Sequence, residues 1–369
     1  MEYIEFGNTK LQVSRFGLGC MRFPPDAKDA INMVRYAIDN GVNYIDTAYV
    51  YANSEVITGK ALQEGYRKKI YLATKSPIWN INSHSDFEKY LDEQLMRLKT
   101  DYIDIYLLHN LNPEHWEKIK KYDAFTFLDK MIEKGKIRHK AFSIHNTTQA
   151  FKEIADSFDW TMAQIQLNIL GENQQVGIEG LRYGAQKGLA MVIMEPLRGG
   201  GILTNAPIEV QKLLDEYPQK LSLAEWCFRW LYNMKEVSVI LSGTSNMEQL
   251  KDNLRIFESS KPNIMSDDDM ELIHKICQIY ESKKSIACSK CRYCMPCPQN
   301  IAIADIFELY NDYQRLGKPF LNKLFYQRNI SALGFGADKC IACGICKNKC
   351  PQQLEIPSLI KEIHQEFIK

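Results

Sequence analysis

The chain has 369 residues, enough for one large barrel plus a small module or for two to three average domains. Hydrophobic residues make up 45% and charged residues 25%, which excludes a chain disordered throughout, and a net charge of +1 gives no reason to expect nucleic acid or an anionic membrane as partner. The opening "MEYIEFGNTKLQVSRFG" lacks the basic segment and apolar run of a secretory signal, and no stretch is apolar for long enough to span a bilayer, so a cytoplasmic protein is expected.

The first expected element is a hairpin. "YIEFGNTKLQVS" reads as two short strands around a GNTK turn, suited to closing the floor of whatever follows. From residue 15 to 257 short apolar runs then alternate with amphipathic stretches. The runs are "RFGLGC", "VNYIDTA", "IYLATKS", "YIDIYLLH", "HKAFSIH", "MAQIQLN", "AMVIMEP" and "VSVILSG". Between them lie helices such as "DAINMVRYAIDNG", "SDFEKYLDEQLMRLK" and "AFTFLDKMIEKGK". In the third, Phe125, Leu128 and Ile132, with Phe127 and Met131, recur at helical spacing. Gly41, Gly135 and Gly188 stand at helix exits, where the chain turns left-handed before a strand.

Eight strand–helix units over about 250 residues form an α/β pattern that predicts a closed (β/α)8 TIM barrel. A doubly wound open sheet is the alternative, but no G-x-G-x-x-G follows the first strand. After residue 258, "SSKPNIMSDDD" has linker chemistry and leads into an acidic helix. The expected division is therefore a barrel over 1–260 and a second, mostly helical domain over 261–369, with "IADIFELYNDYQRLG" as one of its helices.

In such a barrel the functional groups sit where strands end, at the C-terminal face. The second strand ends at Asp46, with Tyr51 in the loop beyond; the third ends at Lys75 and the fourth at His109. Lys75 shares a face with Tyr71 and Ala73, and His109 with Ile103, Ile105 and Leu107. Each residue alone reads as an ordinary polar strand end. Together they are chemically coherent, because a phenol of pKa near 10 needs tuning to work at neutral pH. An ammonium lowers that pKa, a carboxylate holds the ammonium, and a histidine can hydrogen-bond a substrate oxygen.

At this point the sequence resembles the aldo-keto reductase family over residues 1 to about 260, through "FGLGCMRFP", "GVNYIDTAYVYANSE", "IYLATKS", "DYIDIYLLH", "AQIQLN", "EPLRGG" and "GTSNMEQLKDNL". The resemblance implies carbonyl/alcohol interconversion by hydride and proton transfer. Tyr51 would be the acid–base, Lys75 its tuner, Asp46 the partner of Lys75, and His109 the group orienting the carbonyl. It also implies that Ser143 and Gln164 hold a nicotinamide amide. Met194 replaces the aromatic residue on which the ring commonly stacks. Gly243 and Gln249 replace cations that often grip a 2′-phosphate, so NADP, NAD and FMN all stay open. Gly199 and Gly200 after the seventh strand, with Thr244, Ser245, Gln249 and Asn253 around the last helix, mark a phosphate-binding region, Ser245 or Asn246 being the cap. His145 and Glu195 read as rim residues, Glu195 with Arg198 as a partner, and Trp79 reads as a wall for an apolar or ring-bearing substrate.

Of the 11 cysteines, Cys20, Cys227 and Cys277 read as small buried hydrophobes. The other eight form two runs. Cys340, Cys343, Cys346 and Cys350, followed by Pro351, match the C-x2-C-x2-C-x3-C-P pattern of bacterial [4Fe–4S] proteins. Cys288, Cys291, Cys294 and Cys297, followed by Pro298, match with one residue fewer before the last cysteine. Zinc is the rival, but it prefers well-separated C-x2-C pairs. The ferredoxin pattern implies two clusters that exchange their fourth ligand: Cys288, Cys291, Cys294 and Cys350 for one, Cys340, Cys343, Cys346 and Cys297 for the other. Three readings follow: a reductase whose clusters trade electrons with ferredoxin or another carrier, a conventional NAD(P)H reductase with structural or redox-sensing clusters, and a flavin-linked electron-transfer protein.

Overall fold

Strands β1 (Tyr3–Glu5) and β2 (Gln12–Ser14) form the expected antiparallel hairpin. Eight strands follow, one from each apolar run: β3 (Phe16–Gly19), β4 (Tyr44–Asp46), β5 (Tyr71–Ser76), β6 (Ile103–Leu108), β7 (Ile137–Ile144), β8 (Met162–Gln166), β9 (Ala190–Met194) and β10 (Val237–Ser242). They pair in chain order and β10 bonds back to β3, closing a parallel barrel with helices in the connections. These coordinates are a computed structural model that describes residues 1–369 except Asn205, Lys284, Ser289, Lys290 and Cys291.

The barrel interior is a packed core of Tyr44, Ala73, Ile105, Leu107, Met162 and Val192. Phe6 from the hairpin turn joins it, fully buried, its ring 5.7 Å from that of Tyr44 at the start of β4. The hairpin thus plugs the N-terminal end of the barrel and leaves the C-terminal end for chemistry. Gly41, Gly135 and Gly188 do take positive φ, at 92°, 69° and 83°. On the helix Ala124–Glu133 the buried stripe is Ala124, Phe127, Leu128 and Met131. Phe125 and Ile132 are only half-buried, because Phe125 turns aside to pack 4.6 Å from the Phe158 ring.

The chain divides into two units, Met1–Gly199 with Ser222–Ile273, and Gly200–Leu221 with His274–Lys369. The second unit is helical, with Ile303–Arg315, Phe320–Phe325 and Ile356–Ile368 around a core that includes Ile306, Phe307, Tyr326, Ile363 and Phe367. No helix among the described residues is long and apolar enough to cross a membrane.

Candidate active site and cysteine centres

Parallel pairing aligns the strand ends. Asp46 lies opposite Ala73, and Lys75, two residues further along the same face, lies opposite Leu107. Lys75 Nζ donates to Asp46 Oδ1 at 2.6 Å and to the Thr47 carbonyl at 2.7 Å, with both side chains buried. The Tyr51 ring centroid lies 5.0 Å from Lys75 Nζ, and the ring stands edge-on to His109 at 6.0 Å. Trp79 closes the group with its ring 5.3 Å from His109. The four residues expected at the strand ends are therefore neighbours in space.

Their protonation follows from burial and mutual charge. Burial raises the Tyr51 phenol above its ordinary value, and the Lys75 ammonium works against that rise. Burial draws Lys75 down, but Asp46 and Tyr51 outweigh it and hold the ammonium above its usual range. Burial likewise raises the Asp46 carboxyl, opposed by Lys75. His109 is pushed well below its ordinary value, first by burial and then by the Lys75 charge, so it is neutral at pH 7. Its Nδ1 is buried with no hydrogen-bond partner among the described residues.

This predicts an acid-side stability slope. In the unfolded chain His109 takes up a proton near pH 6.5, and in the fold it resists until much lower pH. The unfolded state binds more protons in that window, so stability falls as pH drops below about 6.5. His109→Gln should flatten the slope between pH 6.5 and 5 in chemical unfolding; an unchanged slope would assign it to other groups.

A second polar layer lies behind Lys75, and sequence reasoning missed it. Glu55, on the helix Ser54–Ala61 just after Tyr51, accepts from Thr74 Oγ1 and from Gln94 Nε2, each at 2.7 Å. Gln94 Nε2 also lies 3.1 Å from the Lys75 carbonyl oxygen, and Tyr106 O–H donates to Gln94 Oε1 at 2.9 Å. This buried network ties the segment that carries Tyr51 to the strand that carries Lys75. The available signal was Thr74 and Ser76, polar residues where a barrel strand normally faces its helices with apolar ones.

On the opposite side of the barrel Ser143 and Gln164 are cross-strand partners. Ser143 Oγ accepts from the Asn110 amide at 2.9 Å, while Gln164 Oε1 is buried with no hydrogen-bond partner among the described residues. Gln164 Nε2 donates to the Met194 sulfur at 3.7 Å. Gln166 Oε1 and Thr244 Oγ1 are likewise buried without a partner among the described residues. Asn246, rather than Ser245, caps the helix Met247–Ile256 by accepting from the Gln249 amide. Ser245 donates to Gln249 Oε1 through both N and Oγ, and Asn253 Nδ2 donates to Ser242 Oγ at 3.0 Å.

Arg22, the last residue of the short turn Cys20–Arg22 that follows β3, is a residue the sequence did not single out. A Cβ on Gly199, whose φ is +66°, would lie 2.4 Å from Arg22 Nη2, and one on Gly243 would lie 3.5 Å from Arg22 Cβ. Gly199 thus leaves room for this half-buried guanidinium, whereas a side chain at Gly243 would make only ordinary contact with it; Arg22 has no side-chain hydrogen bond or ion pair among the described residues. Gly200 lies in the second unit, where its carbonyl accepts from Thr204 Oγ1. An unpaired cation, a capped helix start and orphaned amide and hydroxyl groups on one face suit a phosphate-bearing nucleotide with a carboxamide ring. The rim residues behave otherwise: His145 Nδ1 lies 3.2 Å from Gln175 Oε1, Glu195 is exposed, and Arg198 donates to Asn168 and Gln174.

In the second unit Cys288, Cys294 and Cys350 line one cavity with Phe307 and Ile356. Cys346 has Cys297 and Cys340 as electrostatic neighbours; burial comes first in raising its thiol and those two add to the rise. Cys350 of the second run thus lies with Cys288 and Cys294 of the first, and Cys297 of the first run lies near Cys346. Cys291 lies outside the described residues, and Cys343 is exposed. No three His, Cys, Asp or Glu side chains among the described residues converge closely enough to hold a single metal ion. Of the scattered thiols, Cys20 and Cys227 are fully buried and Cys277 is half-buried.

Residues 15–278 match the model of the Aldo/keto reductase family, and residues 287–355 match that of a 4Fe-4S dicluster domain. A 9,11-endoperoxide prostaglandin H2 reductase of Trypanosoma cruzi is 27% identical over 264 residues, covering 68% of this chain and 84% of that protein. Glycerol 2-dehydrogenase (NADP(+)) of Saccharomyces cerevisiae is 24% identical over 297 residues, covering 73% and 89%. The holo form of an aldo-keto reductase from Bacillus halodurans superposes with a TM-score of 0.63 at 25% identity, covering 75% of this chain and 96% of that one. With a closed eight-stranded barrel and a family match over residues 15–278, the chain belongs to the aldo/keto reductase family, and a 4Fe-4S dicluster domain follows its barrel.

Proposed function

We propose that this cytoplasmic oxidoreductase interconverts a carbonyl and an alcohol on a small substrate, and that two [4Fe–4S] clusters in its C-terminal domain exchange electrons with a carrier. In sequence, hydride chemistry would occupy residues 1–260 and one-electron chemistry 261–369. The buried Lys75–Asp46 pair at 2.6 Å, facing the Tyr51 ring, carries the first half of the reading.

A nicotinamide nucleotide, held by Ser143 and Gln164 at its amide and by Arg22 and the Asn246-capped helix at its phosphates, would supply or take the hydride. Tyr51 O–H gives its proton to the carbonyl oxygen as the alcohol forms, and takes it back in the reverse direction. Lys75 stabilises the phenolate left behind, which a lone buried phenol could not tolerate. Asp46 fixes Lys75, and neutral His109 hydrogen-bonds the carbonyl oxygen. The rings of Trp79, His109 and His115 favour an apolar or aromatic body on the substrate. The glycerol 2-dehydrogenase among the relatives supports the carbonyl/alcohol reaction class.

Met194, standing where an aromatic residue commonly stacks on the nicotinamide, is the observation that keeps FMN as a second reading. A flavin is the common converter between electron pairs and single electrons. The cross-run cysteine groups suit two clusters better than zinc.

Protein purified without air should oxidise NADPH or NADH in step with alcohol formation from an aromatic aldehyde. Nucleotide oxidation with no carbonyl reduced, across aliphatic and aromatic carbonyls, would overturn the reading. Arg22→Met should raise the nucleotide Kd about tenfold or more, as loss of a charge-assisted phosphate contact does. An unchanged Kd by titration calorimetry would remove Arg22 from the phosphate site.

A further inference from the structure

The chain as a whole is nearly neutral, with 46 basic and 45 acidic residues, yet residues 318–350 hold six basic residues and one acid, Asp338. Within that segment large apolar side chains face solvent around the second cysteine run. Leu333 is 50% exposed, Phe335 37%, Ile341 64% and Ile345 42%. Lys339 connects them, since a Cβ on Gly334 would lie 2.8 Å from its Nζ, placing the ammonium over the turn between Leu333 and Phe335. Ile341 and Ile345 flank the exposed Cys343. Lys347 is paired with Glu355 at 2.7 Å, whereas Lys339 and Lys349 have no ion pair among the described residues. At the first cysteine run, by contrast, Arg292 is already neutralised by Asp305 at 2.8 Å.

Single exposed apolar residues are ordinary; four beside uncompensated lysines at a redox loop mark a contact surface. We propose that this face docks a one-electron carrier protein with an acidic rim and an apolar centre, beside the cluster held by Cys340, Cys343 and Cys346. The inference rests on the electron-exchange reading above. Lys339 and Lys349 steer the acidic partner, and Ile341 and Ile345 make the close contact across which transfer occurs. One electron leaves the cluster and reduces the carrier by one; no bond forms or breaks and no proton moves. An interface this small and charged is transient and weakens with salt.

The test uses full-length, cluster-loaded protein, an acidic bacterial two-cluster ferredoxin as probe and methyl viologen as a small acceptor. Ferredoxin should bind wild type with a Kd that rises with salt, and Lys339→Glu with Lys349→Glu should raise that Kd at least tenfold. Dithionite-reduced wild type and variant should reduce methyl viologen at equal rates, which shows intact clusters. An unchanged ferredoxin Kd overturns the docking face, as does a wild type that reduces viologen but binds no ferredoxin. Binding to phosphatidylserine vesicles in place of ferredoxin, lost in the double variant, also overturns it and assigns the face to a membrane. If dithionite leaves the visible absorbance of the wild-type clusters unchanged, so that they take up no electrons, the electron-exchange reading itself fails.

Discussion

Tyr51→Phe lowers kcat for carbonyl reduction by about 10²- to 10⁴-fold, the range general acid–base catalysis supplies. The substitution removes one hydroxyl and keeps the ring, so the edge-on contact with His109 and the approach to Lys75 survive. Nucleotide affinity should be unchanged, because the residues proposed to hold that ligand, Ser143, Gln164 and Arg22, are left intact. A single-turnover measurement with nucleotide bound separates the chemical step from binding. A variant with the wild-type chemical rate would mean that another group delivers the proton, with neutral His109 the first to examine.

Lys75→Met combines a catalytic loss with a folding loss. The variant leaves Asp46 buried, its Oδ2 already without a partner among the described residues and its Oδ1 newly deprived of one. Breaking a buried pair in this way costs about 3–5 kcal/mol, because one charge is left without compensation. Asp46→Asn with Lys75→Met should recover part of that loss by removing the stranded carboxylate. Urea unfolding of the single and double variants decides it; equal stabilities would mean the pair contributes little. The pH dependence has a definite sign. Because the folded pKa of Lys75 is raised, its stabilisation is complete below about pH 10.4 and disappears as pH rises through the folded value. The variant should lack that alkaline decline. In catalysis, loss of the ammonium raises the pKa of Tyr51, so alcohol oxidation should shift to higher pH.

The barrel was legible because each apolar run is short, bounded and separated by a helix with clear periodicity. The four strand-end residues were legible because barrel topology fixes where strand ends meet. The ferredoxin pattern also anticipates that Cys350 lies with Cys288 and Cys294 and that Cys297 lies near Cys346, while the ligand sets themselves are a proposal. What stayed hidden depends on side-chain direction across distant segments. Arg22 is an ordinary surface cation in sequence, and only the missing Cβ of Gly199 shows that room is kept for it. Glu55 reads as a helix-surface acid until Thr74 and Gln94 are seen to bury it. The choice between Ser245 and Asn246 as helix cap turned on backbone geometry at one residue.

The most direct test of the central claim, that barrel and clusters share electrons, is to add NADH or NADPH without air to the cluster-loaded protein and follow its visible absorbance. The account predicts bleaching of the clusters by the nucleotide when FMN is supplied to divide the hydride into single electrons, and loss of that bleaching in Arg22→Met at limiting nucleotide. Clusters that stay oxidised while nucleotide is consumed with a carbonyl would contradict it, and would leave an ordinary reductase whose clusters serve another purpose.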